Sequence, residues 1–328
     1  MSAALSARGI RVEAPGLEGP AALVDGVDLE VPAGRTLALV GESGSGKTLT
    51  ALALLRAVPA PARATGGRVR LDGRDLTALG EREMRRVRGG LVGLVPQDPA
   101  GALDPVRRVG WQIAETLRAH ARMGRARARA LAAEALAEVG LTADDYPHRL
   151  SGGQRQRAML ALALAPGPAV LLADEPTSAL DASVQVEVLD LLRRRRDERR
   201  LTMLLISHDL GAVGRLADRV AVMYAGRIVE EGTAEAVLSR PRHPYAIGLL
   251  ASAPRMDGPR GARRPAIPGA PPHPAARPPG CVFAPRCPAR RAECDAARPP
   301  LREVGDGRRV ACVLTEAEAA AVRGASAP

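Results

Sequence analysis

The sequence predicts an α/β fold built around a parallel sheet, and three observations carry that prediction. Short, almost wholly apolar runs recur at Thr36 to Val40, Ala169 to Ala173 and Leu201 to Ser207. Ala and Leu at three- and four-residue spacing fill Gln112 to Gly140, and a further helical pattern runs from Ser183 to about Arg196. A Gly-rich loop follows the first apolar run. Unalternating runs of this length fit strands buried on both faces, and strands alternating with helices pair in parallel. The 328 residues allow roughly two domains.

In chain order, Val27-Asp28-Leu29-Glu30-Val31, closed by Pro32, and Arg68-Val69-Arg70-Leu71, closed by Asp72-Gly73, alternate as half-buried strands do. Thr36 to Val40 lies between them as the buried strand. Gly124 and Gly140 punctuate the Gln112 to Gly140 stretch, so two helices are expected there. Near residue 253 the composition changes, because 13 of the 28 prolines fall between positions 253 and 300. A linker and a separate, irregular C-terminal extension are expected.

Composition narrows the function classes. Only five residues are aromatic (Trp111, Tyr146, Tyr224, Tyr245 and Phe283), so the core must come from Leu, Val, Ile and Ala. Base-stacking platforms for nucleic acid are not expected. Among 47 Lys and Arg residues the single lysine is Lys47, which marks a place where a planar guanidinium cannot substitute for a compact ammonium. The net charge of +11 permits acidic partners without choosing among them. The N-terminus shows no basic region followed by an apolar stretch. The best apolar stretch, Met159 to Ala173, is broken by Pro166, Gly167 and Pro168. A soluble, cytosolic protein is expected, with its four cysteines as reduced thiols or metal ligands.

Gly41-Glu42-Ser43-Gly44-Ser45-Gly46-Lys47-Thr48 fits G-x-x-x-x-G-K followed by Ser or Thr, with a strand entering and a helical Leu49 to Leu55 leaving. Gly41, Ser43, Gly44 and Gly46 let backbone N–H groups approach phosphate oxygens, and the helix N-terminus adds its positive dipole end. Lys47 is expected on the β and γ phosphates, with the Thr48 hydroxyl on Mg²⁺. Ala169 to Ala173 delivers Asp174 and Glu175 at a strand C-terminus, the edge where open α/β sheets bind ligands. Asp174 suits Mg²⁺, and Glu175 is placed to orient or deprotonate the attacking water. Leu150-Ser151-Gly152-Gly153-Gln154 precedes a helical run, so Ser151, Gly152 and Gly153 form either a second phosphate-binding element or an ordinary Ser-Gly helix start. Neither an internal repeat nor a second phosphate-loop pattern is found, so one nucleotide-binding unit per chain is expected.

From about residue 5 to residue 252 these motifs resemble those of the ABC-type ATPases, a P-loop NTPase family. The resemblance implies a P-loop core with a parallel sheet, an antiparallel β subdomain, and an inserted helical subdomain at about 98–160. It assigns residues 1–252 to an ATP-binding domain and 253–328 to a Pro-rich linker with a Cys-containing extension. Ser151 to Gly153 match the signature motif, Gln97 the Q-loop that touches metal and γ-phosphate, and Asp181 the D-loop. His208 matches the switch histidine on the γ-phosphate. The implied catalytic residues are Glu175, His208 and Gln97, the Mg²⁺ ligands Thr48, Gln97 and Asp174, and the cofactors ATP and Mg²⁺. The family works as head-to-tail dimers, so Ser151 and Gly153 would serve the neighbouring subunit's nucleotide. Ala14 takes the place where the family stacks an aromatic on adenine, which implies weak selectivity for ATP over GTP.

Gln97-Asp98-Pro99 through Asp104-Pro105, Tyr146-Pro147-His148, Asp181 to Gln185 and Arg242 to Tyr245 resemble the ATPases of oligopeptide and dipeptide importers. So does the tail, where Cys281, Cys287, Cys294 and Cys312 follow C-x₅-C-x₆-C-x₁₇-C. Its cysteines would hold a 4Fe-4S cluster or zinc, or remain unliganded thiols. The resemblance implies a motor subunit peripheral to the cytoplasmic face of the cell membrane. Its partners would be two integral membrane permease subunits, a second ATPase (a paralogue or another copy) and, indirectly, an extracellular solute-binding protein. Two alternatives are an ATPase of a nickel or other small-solute importer and a soluble ABC ATPase acting on nucleic acid or ribosomes. A non-hydrolysing regulatory subunit is a third, against which Glu175 argues. Arg193 to Arg196, Arg199 and Arg200 form either a solvated helix end or a patch for nucleic acid or lipid headgroups.

Overall fold

The computed structural model describes residues 3–16, 19–178, 180–253 and 266–326. The strands in them are β1 (Ala3–Ala14), β2 (Ala21–Pro32), β3 (Thr36–Val40), β4 (Arg63–Leu71), β5 (Arg74–Asp75), β6 (Val92–Val95), β7 (Val170–Asp174), β8 (Thr202–Ile206), β9 (Arg219–Tyr224), β10 (Arg227–Thr233), β11 (Arg302–Glu303) and β12 (Arg309–Val310). The chain divides into two compact units. One comprises Met1–Ser6, Glu30–Thr36 and Val69–Ile206, the other Ala7–Leu29, Leu37–Arg68 and Ser207–Pro328.

In the first unit β8, β7 and β6 lie side by side and parallel, with Val170 opposite both Val92 and Thr202. Every residue of β7 and β8 is buried, as their unbroken apolar runs require. The two expected helices are Val109–His120 and Arg125–Ala137. Ala128, Ala132 and Leu136, each four residues apart, bury one stripe of the second helix. Gly110 in the first permits close approach, because a Cβ there would stand 2.6 Å from the Ala143 carbonyl oxygen. The Ala182–Arg199 helix runs longer than its sequence pattern indicated, and its basic end is ion-paired. Arg196 contacts Asp197 at 2.8 Å, and Arg195 reaches Glu138.

In the second unit the strand order is β11, β12, β10, β9, β3. β3 pairs in parallel with β9, from Leu37 opposite Arg219 to Val40 opposite Val222. β9 and β10 form a hairpin whose central residues, Ala225 (φ 44°) and Gly226 (φ 83°), both lie in the left-handed region, as a type I′ turn requires. β2, β1 and β4 are neighbours in a separate sheet, to which β5 adds antiparallel at Arg70 and Leu71 in the first unit.

The C-terminal extension carries more order than its proline content suggested. β12 pairs antiparallel with β10, placing Val310 opposite Glu230, and an 11-residue helix follows at Glu316–Ser326. Two-residue strands are too short to show a period, so no alternation marks them in the sequence. Residues 254–265, where the expected linker begins, lie outside the described residues. The described part of the extension shares a compact unit with the Gly-rich loop.

Three of the five aromatic residues gather in this unit. The Tyr224 ring centre lies 4.5 Å from that of Tyr245 and 5.2 Å from that of Phe283, with His243 5.9 Å from Phe283. Burial holds the His243 imidazole neutral, with a pKa of about 3. Its Nδ1 accepts the Tyr245 backbone N–H at 3.1 Å, capping the Pro244–Ser252 helix. Glu230 is also buried. It accepts the backbone N–H groups of Arg242 at 2.9 Å and His243 at 2.7 Å, while desolvation pushes its pKa up.

Candidate functional site

In the second unit β3, wholly buried, delivers the chain into the Gly41 to Gly46 loop, and the Lys47–Leu54 helix leaves it. The glycines are there for different reasons. A Cβ on Gly41 would stand 2.1 Å from the Met223 carbonyl oxygen, so space excludes a side chain. Gly44, at φ 76°, has open space around it and is needed for its left-handed backbone. A hydrogen bond to the β9–β10 hairpin holds the loop in place, the Gly226 N–H donating to the Ser45 carbonyl at 2.8 Å, and the hairpin is tied in turn to β2, the Asp25 N–H donating to the Gly226 carbonyl at 2.9 Å.

Lys47, at the helix start, is buried and donates from Nζ to the Gly41 and Glu42 carbonyls, each at 2.8 Å, and to Ser45 Oγ at 3.4 Å. Its ammonium therefore stands inside the loop as a compact cation. Thr48 is half-buried and Ser43 exposed. His208 is exposed in the short link before the Leu210–Leu216 helix. That link is fixed by Asp209, which accepts the Gly211 N–H at 2.8 Å, and by Ser207 Oγ, which accepts the Asp209 N–H at 3.0 Å. β1 ends at Ala14, so this strand end presents only a methyl group.

In the first unit the parallel pairing brings Gln97 and the β7 carboxylates to one sheet edge, because Val95 of β6 lies opposite Ala173 of β7. Asp174 and Glu175 are both buried, while Gln97 is exposed. Glu175 adopts φ 52°, a left-handed conformation that costs a non-glycine residue free energy and often marks a functional position. Its N–H donates to the Ile206 carbonyl at 2.9 Å, and Ser178 Oγ donates to its carbonyl at 3.1 Å.

Ser151 caps the Gly152–Leu164 helix with a reciprocal pair: its Oγ accepts the Gln154 N–H at 3.2 Å, and its N–H donates to Gln154 Oε1 at 2.8 Å. Ser151 and Gly152 are exposed and Gly153 half-buried, which leaves a helix N-terminus open to solvent. Asp181 caps the Ala182–Arg199 helix, accepting from Ser183 Oγ at 2.6 Å and the Val184 N–H at 3.0 Å. The Ser183 hydrogen bond, followed by that of Val184, holds its carboxyl below the usual range. The expected residues thus fall into two groups: Gly41 to Thr48 and His208 in one unit, and Gln97, Ser151 to Gly153, Asp174, Glu175 and Asp181 in the other.

The four cysteines lie near one another in the tail. The Cys281 N–H donates to the Cys294 carbonyl at 2.7 Å. Burial pushes up the thiols of Cys281 and Cys312, and that of Cys287 to about 11, with neighbouring cysteines adding to each shift. Among the described residues, no three His, Cys, Asp or Glu side chains are placed to hold a metal ion. The metal-bearing tail expected from the sequence therefore has no formed site behind it among the described residues.

Three contacts at the loop were not foreseen. The Glu42 carboxylate is gripped by Arg286 of the tail, the Glu42 backbone N–H donates to the Tyr245 hydroxyl at 2.7 Å, and Asp25, bonded to the supporting hairpin, is paired with Arg227. The available signal was an acid placed within a phosphate-binding loop, which calls for a counter-charge.

The chain matches the family described as ABC transporter over residues 24–178, and that described as oligopeptide/dipeptide transporter, C-terminal region, over residues 229–294. It is 47% identical over 294 residues to a putative peptide import ATP-binding protein of Brucella abortus, covering 88% of each chain. It is 44% identical over 307 residues to the oligopeptide transport ATP-binding protein AppD of Bacillus subtilis, covering 92% of this chain and 93% of that one. With OppD of Mycobacterium tuberculosis, an oligopeptide transport ATP-binding protein, identity is 46% over 303 residues. There the match covers 90% of this chain but 49% of the relative, so the chain spans about half of that protein's length. A solved dimeric bacterial ABC transporter cassette superposes with a TM-score of 0.65 at 26% identity, covering 70% of this chain and 98% of the cassette. The same kind of cassette bound to ADP and Pi in a post-hydrolysis state gives 0.64 at 25% identity, with the same coverage. With its glycine loop, its buried strand-end carboxylates and its cysteine-bearing tail, the chain belongs to the ABC transporter ATP-binding proteins of the oligopeptide/dipeptide type.

Proposed function

We propose that the chain is the ATP-hydrolysing subunit of a membrane importer for peptides. The observation that carries this reading is the pre-shaped loop around Lys47, on a chain whose tail matches the oligopeptide/dipeptide transporter region. The 1–252 part would bind and hydrolyse ATP, and the 253–328 part would complete the subunit. Loop N–H groups and the dipole of the Lys47–Leu54 helix bind the polyphosphate, with Lys47 countering its charge. The Thr48 hydroxyl and the Asp174 and Gln97 side chains are hard oxygen donors of the kind Mg²⁺ takes, and they would hold it; the ion supplies charge neutralisation on the β and γ phosphates. Glu175 orients the attacking water and accepts its proton, and His208 contacts the γ-phosphate. Ser151 and Gly153, with Gly152 and Asp181, present a second phosphate-binding surface to the nucleotide of a partner ATPase, a paralogue or another copy.

Two permease subunits would place the chain on the cytoplasmic face of the membrane, with a solute-binding protein outside. Among the described residues no helix is long and apolar enough to cross a membrane itself. Nucleic acid is not a partner in this reading. The chain purified from membranes should carry integral permease subunits with it; recovery with ribosomes or DNA and no membrane partner would contradict the reading.

The four tail cysteines are the ligands of a 4Fe-4S cluster in this proposal, supported by their count, spacing and mutual nearness. Binding would have to deprotonate thiols that burial pushes up, so cluster binding and folding of the tail are linked. Protein purified without oxygen should be brown and contain about four Fe and about four sulfide per chain, and Cys→Ser at Cys281, Cys287, Cys294 or Cys312 should lower both. Colourless protein with stoichiometric zinc, or metal-free protein with four titratable thiols, would contradict the cluster.

A further inference from the structure

We propose that Arg286, on the cysteine-bearing tail, is a positioning residue for nucleotide binding that neutralises the carboxylate of Glu42 inside the phosphate loop. A negative charge in a loop that must receive a polyphosphate opposes binding, and the opposition is stronger where burial limits screening. The Arg286 side chain is 6% exposed and meets the carboxylate as a fork, Nη1 to Oε2 at 2.8 Å and Nη2 to Oε1 at 3.0 Å. Its other donors are also engaged: Nε with the Pro268 carbonyl at 2.8 Å, Nη2 with the Ile267 carbonyl at 3.3 Å, and Nη1 with the Tyr224 hydroxyl at 3.2 Å. The guanidinium is thus held in place before any nucleotide arrives.

The other polar groups of Glu42 are fixed as well. Its N–H donates to Tyr245 Oη and its carbonyl accepts from Lys47 Nζ. Phe283, three residues before Arg286, packs edge-on against Tyr224. Both Phe283 and Arg286 lie between Cys281 and Cys287, so the cysteine-bearing segment and the phosphate loop are joined by one half-buried ion pair and one aromatic cluster. The tail is therefore part of the nucleotide site rather than an appendage to it.

This inference rests on the reading of the loop as an ATP site, and the experiment separates the two. MgATP affinity of the full chain is measured by displacement of a fluorescent nucleotide, alongside thermal melting, for wild type, Arg286→Met, Arg286→Lys and the double variant Glu42→Gln/Arg286→Met. Arg286→Met strands the carboxylate and should weaken ATP binding about tenfold, while the double variant should return to within about threefold of wild type. Arg286→Lys keeps the charge and should also stay within about threefold, which serves if the methionine variant does not fold. The proposal is overturned if Arg286→Met binds ATP as wild type does, if removing the acid fails to restore binding, or if a folded Arg286→Lys loses as much as the methionine variant. Wild type that does not bind MgATP would instead overturn the ATP reading itself.

Discussion

Glu175→Gln is expected to keep nucleotide binding and to lose turnover by on the order of 10²-fold or more. The change preserves shape and hydrogen-bonding reach but removes the carboxylate charge that the proposed chemistry needs on the attacking water. The position is sterically prepared for the test. Glu175 is buried at the end of β7, in a left-handed conformation held by the Ile206 carbonyl and by Ser178. Glutamine has the same backbone preference, so the variant should fold. The variant complex should therefore accumulate in its ATP-bound state. ATP hydrolysis by the assembled complex, measured beside nucleotide affinity, checks this: unchanged turnover would remove Glu175 from the catalytic role.

Lys47→Arg should fail at the preceding step, weakening ATP binding about 10- to 100-fold, the range lost with a hydrogen bond to a charged group. Lys47 Nζ sits within 2.8 Å of two carbonyls inside the loop, a space shaped for a point charge. A planar guanidinium carries the same charge but needs more room, and its donors diverge from the position the ammonium occupies. Nucleotide titration of the full chain decides the matter. Wild-type affinity in the arginine variant would mean that the solitary lysine reflects composition rather than fit.

What could be read directly from the sequence was whatever depends on neighbours in the chain. The spacing from Gly41 to Thr48 is a local property of a strand, a turn and a helix, and the structure places it as expected. The same holds for Asp174 and Glu175, because an apolar strand ends where its first charges appear. The pair of helices around Gly124 followed from periodicity alone. The Arg286–Glu42 pair could not be read this way, since 244 residues separate its members and no local spacing links the acid of the loop to an arginine of the tail. β11 and β12 escaped notice because two residues cannot show alternation. Nor does any local signal reveal that the tail shares a compact unit with the loop, since that depends on β10 and β12 pairing across a long, proline-rich interval.

The central claim, that this chain powers a peptide importer, is tested most directly by ATP turnover of the complex purified from membranes, with and without peptide and its solute-binding protein. The account predicts that integral permease subunits accompany the chain and that peptide raises the rate of ATP hydrolysis. Turnover indifferent to peptide, in a preparation that contains no integral membrane partner, would contradict it.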